Sequence, residues 1–167
     1  NLMTITPQFN VPGTRTFNIT VTDPAGTNAT ATFTINMLTV DDLPFFTQTI
    51  PNITTLEEQN NSLDLTPYEG DPENGPVANN NLLTWKFQLA NISNTTAPVN
   101  FLSTPLFNAT LTSATDFLLF TPIANATGSM NLTLFLFDST GKNVSQNITF
   151  NITNVNDAPA FVNFTNQ

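Results

Sequence analysis

The residue pattern with the clearest chemistry is Asn-x-Ser/Thr with x other than Pro, the acceptor motif for an N-linked glycan. It occurs thirteen times, at Asn18, Asn28, Asn52, Asn60, Asn91, Asn94, Asn108, Asn125, Asn131, Asn143, Asn147, Asn151 and Asn163. Random placement of the 25 Asn and 37 Ser plus Thr among 167 residues would give about five or six. The competing reading is compositional: an Asn/Thr-rich chain makes such motifs by accident. Placement favours use. Asn147, Thr149, Asn151 and Thr153 alternate with Ile148, Phe150 and Ile152, which puts the acceptors on one face of a strand and the apolar groups on the other. Asn18 likewise stands opposite Phe17 and Ile19.

Carboxylates are the second group with chemistry. Glu57, Glu58, Asp64, Glu69, Asp71 and Glu73 crowd one stretch, while Asp23, Asp41, Asp42, Asp138 and Asp157 sit at strand ends and unit junctions. Two roles are open to them: solvated loop groups and turn caps, or hard oxygen ligands for a cation such as calcium. Catalysis is not expected. The chain has no His and no Cys, no Gly-rich phosphate loop, and only Tyr68 and Trp85 as sugar platforms for a paired-carboxylate glycosidase. Three basic residues (Arg15, Lys86, Lys142) and a net charge of -9 argue against nucleic acid and anionic membrane surfaces as partners. The absence of Cys removes disulfides and thiolate metal sites. No run of about 18 apolar residues exists, so no membrane insertion is expected. Charged residues are only 9% of the chain, against about 25% in ordinary soluble domains. A glycan coat would keep such a surface wet, so an extracellular or cell-surface location is expected.

These groups must be positioned by strands. Alternation predicts strands over 16–22, 32–38, 84–89, 117–120, 131–137 and 147–153, with turns at Asp23-Pro24-Ala25-Gly26 and Ser139-Thr140-Gly141. No useful stretch has a helical period. Residues 79–81 and 90–100 read as exposed loops. In 131–137, Leu132, Leu134 and Leu136 face one way and Phe135 and Phe137 the other, which suggests cover on both sides.

A repeat organises the whole. Residues 6–46 align with 121–161 at a constant offset of 115, with 13 identities in 41 positions and no gap. The identities include Gly13/Gly128, Asp23/Asp138, Gly26/Gly141, Asn36/Asn151 and Pro44/Pro159. Residues 44–159 therefore read as one complete unit. Residues 1–43 read as the C-terminal half of another, and residues 160–167 as the first strand of a following repeat. The expected fold is all-β: tandem immunoglobulin/cadherin-like β-sandwich domains, one complete and one split across unit boundaries. Residues 1–43 hold too few strands to close a sandwich. The expected partner is the chain itself, in a head-to-tail homopolymer in which the tail strand 160–167 pairs with residues 1–43 of the neighbour.

Val155-Asn156-Asp157-Ala158-Pro159-Ala160-Phe161 resembles the linker of cadherin-like repeats, and Val40-Asp41-Asp42-Leu43-Pro44 resembles a degenerate copy. The stretch from Leu56 to Gly75, followed by the strand from Leu82 to Phe87, resembles the front half of such repeats in microbial surface proteins. The resemblance implies calcium at the domain junctions. One site would take Asp41, Asp42, Asp71, Glu73 and Asp138. A second would take Glu57 or Glu58 with Asn156 and Asp157, and Asp23 would face the preceding linker. The acidic-Arg-Glu motif of true cadherins is absent. Three functional classes follow: a structural subunit of a glycosylated extracellular filament, an adhesin stalk or ligand-binding module, and an accessory carbohydrate-binding domain. The third lacks its cluster of Trp and Tyr.

Overall fold

A computed structural model describes residues 2–73, 82–90, 99–112 and 114–159. The expectations for Asn91, Asn94 and Asn163, for residues 79–81, for most of the 90–100 loop and for the tail 160–167 lie outside the described residues. The chain divides into two compact units, Asn1–Asp42 and Leu43–Gln167.

The first unit is one antiparallel hairpin, β1 (Gly13–Thr22) and β2 (Asn28–Met37). Its register pairs Gly13 with Met37 at the open end and Thr22 with Asn28 at the turn. Alternation gives the ribbon two faces. Phe17, Ile19, Val21, Phe33 and Ile35 lie on one; Thr14, Thr16, Asn18, Thr20 and Thr22 lie on the other with their partners from β2.

Among its described residues the second unit has ten strands. They are β3 (Phe45–Phe46), β4 (Ile53–Leu56), β5 (Asn61–Asp64), β6 (Glu69–Gly70), β7 (Thr84–Leu89), β8 (Phe101–Ser103), β9 (Phe107–Thr112), β10 (Phe117–Pro122), β11 (Gly128–Phe137) and β12 (Asn143–Thr153). Two four-stranded sheets result, ordered β5-β10-β9-β8 and β4-β12-β11-β7, with β3 and β6 paired apart. All pairs are antiparallel except β4 with β12. The sheets pack face to face around one core. Phe150 of β12 meets Phe107 of β9 and Phe120 of β10, with centroids at 4.5 and 4.3 Å. Rings without polar atoms suit this place, because they bury area and need no hydrogen-bond partner. Trp85 is fully buried, and its indole N–H donates to the Glu69 carboxylate at 2.9 Å.

The alternating segments form strands as expected; 84–89 coincides with β7, the others begin earlier or run further than alternation indicates, and β2 ends at Met37, one residue short of the expected 38. Cover on both sides of β11 takes an asymmetric form. Leu132, Leu134 and Leu136 are buried in the core. Phe135 and Phe137 are half-buried, stack on each other at 6.1 Å, and carry the Lys86 ammonium 5.3 Å from the Phe137 ring.

The repeat supplies a direct test of what burial contributes. Leu134 is 1% exposed and its counterpart at the same offset, Ile19, is 42% exposed. Leu134→Ala is expected to lower unfolding free energy by about 2–5 kcal/mol. Ile19→Ala should change it by less than about 0.5 kcal/mol. Chemical denaturation of the two variants checks both values.

Candidate functional site

The two hairpins, β1–β2 and β11–β12, carry matching polar ladders on the part of the outer face towards their open ends; towards the turn, Phe135 and Phe137 of β11 stand where β1 has Thr20 and Thr22. In the second unit, Ser129 donates to Asn151 Oδ1 at 2.6 Å, Thr149 to Asn131 Oδ1 at 2.9 Å, and Thr133 to Asn147 Oδ1 at 2.7 Å. In the first, Thr14 donates to Asn36 Oδ1 at 3.1 Å and Thr32 to Asn18 Oδ1 at 2.8 Å. Hydroxyls pair between Thr16 and Thr34 and between Thr20 and Thr30, and Thr22 donates to Asn28 Oδ1. Each bond joins residues directly opposite in the register. An amide oxygen that accepts across the ladder turns its own nitrogen away from that partner. That nitrogen is the atom a glycan bonds.

Every acceptor Asn among the described residues avoids the core. Asn18, Asn28, Asn52, Asn60, Asn125, Asn131, Asn143 and Asn147 are exposed, and Asn108 and Asn151 are half-buried. Asn52 also anchors an edge: its Oδ1 accepts the Thr149 N–H of β12 at 2.8 Å. Asn108 is the exception in kind, since its Oδ1 is buried without a hydrogen-bond partner.

The carboxylates are held mainly by backbone N–H groups. Asp23 Oδ1 accepts from Ala25 and Thr27 N–H at 2.9 and 2.8 Å. Asp138 Oδ1 accepts from Thr140 and Lys142 N–H at 2.8 and 2.9 Å, the same positions 115 residues on. Gly26 and Gly141 complete these turns at φ of +91° and +94°, where a side chain would be strained. Burial raises the Asp138 carboxyl, but hydrogen bonds from Thr140, Lys142 and Gly141 outweigh it and hold it below the ordinary range. Glu57 is buried at the end of β4, and its Oε1 accepts from Val155 N–H at 2.7 Å and from Asn154 Nδ2 at 2.6 Å. The Val155 N–H first, then Asn154, lowers its pKa against the opposing effect of desolvation. This fixes Glu57 one residue before Asn156, at the exit of the second unit. Asp71 is buried and accepts the Glu73 N–H at 3.0 Å. Glu58 takes a left-handed turn at φ +65°, and Asn156 and Asp157 are exposed. Asp41 and Asp42 belong to the first unit, and Asp71, Glu73 and Asp138 to the second. Among the described residues, no three acidic side chains gather in a group that could hold a metal ion.

Sequence reasoning named Glu69 without its burial and missed Asp116 altogether. Glu69 holds Trp85. Asp116 turns the β9–β10 connection at φ +52°, is 4% exposed, and has an Oδ1 with no partner. The only signal for either was a carboxylate close to an apolar strand.

No family model matches the sequence, and no curated protein matches it. Solved structures do. Domains 1–5 of protocadherin gamma B2 superpose with a TM-score of 0.53 at 14% identity, over 89% of this chain and 27% of that one. Domains 3–6 of the same protein give 0.52 at 14%, over 90% and 33%. Domains 1–2 of human mucin-like protocadherin give 0.51 at 14%, over 92% and 74%. The fold is cadherin-like. The chain spans about a third or less of the two gamma B2 structures. Within this cadherin-like sandwich, β4 runs parallel to β12 and places Glu57 beside the segment that leaves the unit. Among the described residues, no helix is long and apolar enough to cross a membrane.

Asp116 makes stability depend on pH. Desolvation, then the charges of Glu69 and Asp64, pushes its carboxyl from 3.8 up to about 6. The folded chain therefore holds this proton more tightly than the unfolded chain. The stabilisation is complete below about pH 4 and is lost as pH rises through about 6. Asp116→Asn keeps a residue that tolerates the left-handed backbone. The variant is expected to be more stable than the parent at pH 8 by on the order of 1 kcal/mol, with the gap closing below pH 4. Thermal melts at the two pH values check the sign.

Proposed function

We propose that the chain is a non-catalytic, extracellular repeat module whose outer strand faces carry N-linked glycans, built into a glycosylated filament or stalk. One observation carries this reading: the outer ladder of Asn amides and Ser/Thr hydroxyls recurs in the same register on both hairpins, with acceptor motifs at Asn18, Asn28, Asn131, Asn147 and Asn151. Sugars there would hydrate a surface with few charges and would shield strand edges from pairing with other chains. A repeat that leaves one hairpin without an opposing sheet suits head-to-tail assembly, with residues 160–167 of one unit adding to residues 1–43 of the next. A second reading, an adhesin stalk that presents a ligand-binding surface, is favoured by the cadherin-like fold alone.

Calcium enters the proposal at the junctions. Glu57 and Glu58 follow β4, Val155 donates to Glu57, and Asn156 and Asp157 come next along the chain; hard oxygen ligands from two units would stiffen a joint there. A chain of two units is expected to release heat on calcium addition and to melt lower with a chelator. No heat and an unchanged melt would remove calcium from the account.

Intact mass before and after glycan release tests the coat. Protein from its native source should lose mass in steps assignable to the exposed acceptors, with Asn108 the least occupied. A mass equal to the bare polypeptide would contradict the proposal.

A further inference from the structure

Among the described residues of the first unit, no second sheet lies opposite the inner face of the β1–β2 hairpin. Phe17, Ile19 and Val21 are 39%, 42% and 65% exposed. Phe17 and Phe33 stack at 5.4 Å in the middle of the ribbon, with Ile19 and Val21 towards the turn and Ile35 and Met37 towards the open end. Adding 115 to Phe17, Ile19, Val21, Phe33, Ile35 and Met37 gives Leu132, Leu134, Leu136, Ile148, Phe150 and Ile152. None of these six counterparts is more than 2% exposed. Their cover is the β5-β10-β9-β8 sheet, with Phe107 and Phe120 against Phe150. The two hairpins agree in register, in turn caps and in much of the outer ladder. They differ in whether the apolar side has a sheet opposite it.

We infer that this face is the docking surface for the front half of an adjacent unit of the same kind, with the apolar pattern of β5, β8 and β9; residues 2–7 of this chain, the counterpart of β10 at the offset of 115, would complete that sheet. One aromatic group of the partner meets Ile35, as Phe107 meets Phe150, and Ile5 of this chain stands at the position of Phe120. The same front half also serves both edges of the hairpin. In the second unit β7 pairs with β11 and β4 with β12, so the counterparts of those strands reach β1 and β2. A second hairpin laid face to face would bury the apolar groups but leave both edges open, so the front half fits better. The inference deepens the array reading and rests on its repeat, not on its glycans.

The test extends the full chain at its N-terminus with a second copy of residues 44–115. At an offset of 115, residue 116 is the counterpart of Asn1, so the join continues the repeat without insertion. Amide exchange over 13–37 is expected to slow by roughly 100-fold or more relative to the unextended chain, and binding of an apolar dye to fall. Ile19→Ser should reverse that protection in the extended chain and leave the unextended chain unchanged. Equal exchange over 13–37 in both chains, with 128–153 still protected, would overturn the inference. So would an unextended chain that sediments as a dimer with 13–37 protected, because the face would then pair with itself. Bare Asn side chains in the mass experiment would sink the glycan coat and leave this docking untouched.

Discussion

Phe150 projects from β12 between Phe107 and Phe120, and these rings join the two sheets of the second unit. Around them lie Trp85, Phe87, Leu118 and the three inner Leu residues of β11, all at or below 1% exposure. Such burial dominates the favourable side of folding, because each large apolar side chain removed from water contributes about 1.5–3 kcal/mol. The hairpin of the first unit has equivalent backbone bonds, turns and cross-strand polar pairs. An isolated two-stranded ribbon is marginal in water even when those bonds are good. Cover on the apolar face therefore separates a stable strand pair from an unfinished one.

The outer face follows from the same alternation. Once one side of each strand is committed to the core, the other must satisfy water with few charges available. Asn and Thr do so by bonding to each other across the ladder, which fixes the register. Asn131 and Asn147 lie on the face of the second hairpin away from the core, and Asn18 on the matching face of the first, each with its Oδ1 accepting across the ladder. The same residues thus hold the strand pairing in place and carry the acceptor motifs on which the proposed glycans would sit.

Much of this was legible in the sequence because strict alternation over seven or more residues has one reading. The segments around 16–22, 131–137 and 147–153 announced β1, β11 and β12, and the offset of 115 announced that the hairpins were equivalent. The short strands were not legible. β3 and β6 are two residues each, and β4 is four residues joined in parallel to a strand nearly a hundred positions away. Partner choice of that kind is set by tertiary packing and leaves no local period. β9 does alternate, but Ala109 weakens its apolar signal. The carboxylates were the hardest to read. Composition left turn caps and cation ligands both open for Asp23 and Asp138, and only the backbone shows their Oδ1 atoms filled by N–H donors two and four residues on. Asp116 gave no sign of burial, because its position depends on a left-handed turn between β9 and β10.

Residue-resolved hydrogen exchange on the unextended chain measures the central claim most directly. Amides of β11 and β12 should open only with global unfolding, while those of β1 and β2, with the same ladder and no opposing sheet, should exchange through low-energy local opening. Equal protection in the two hairpins would mean that the ladder alone stabilises them, and would contradict the account.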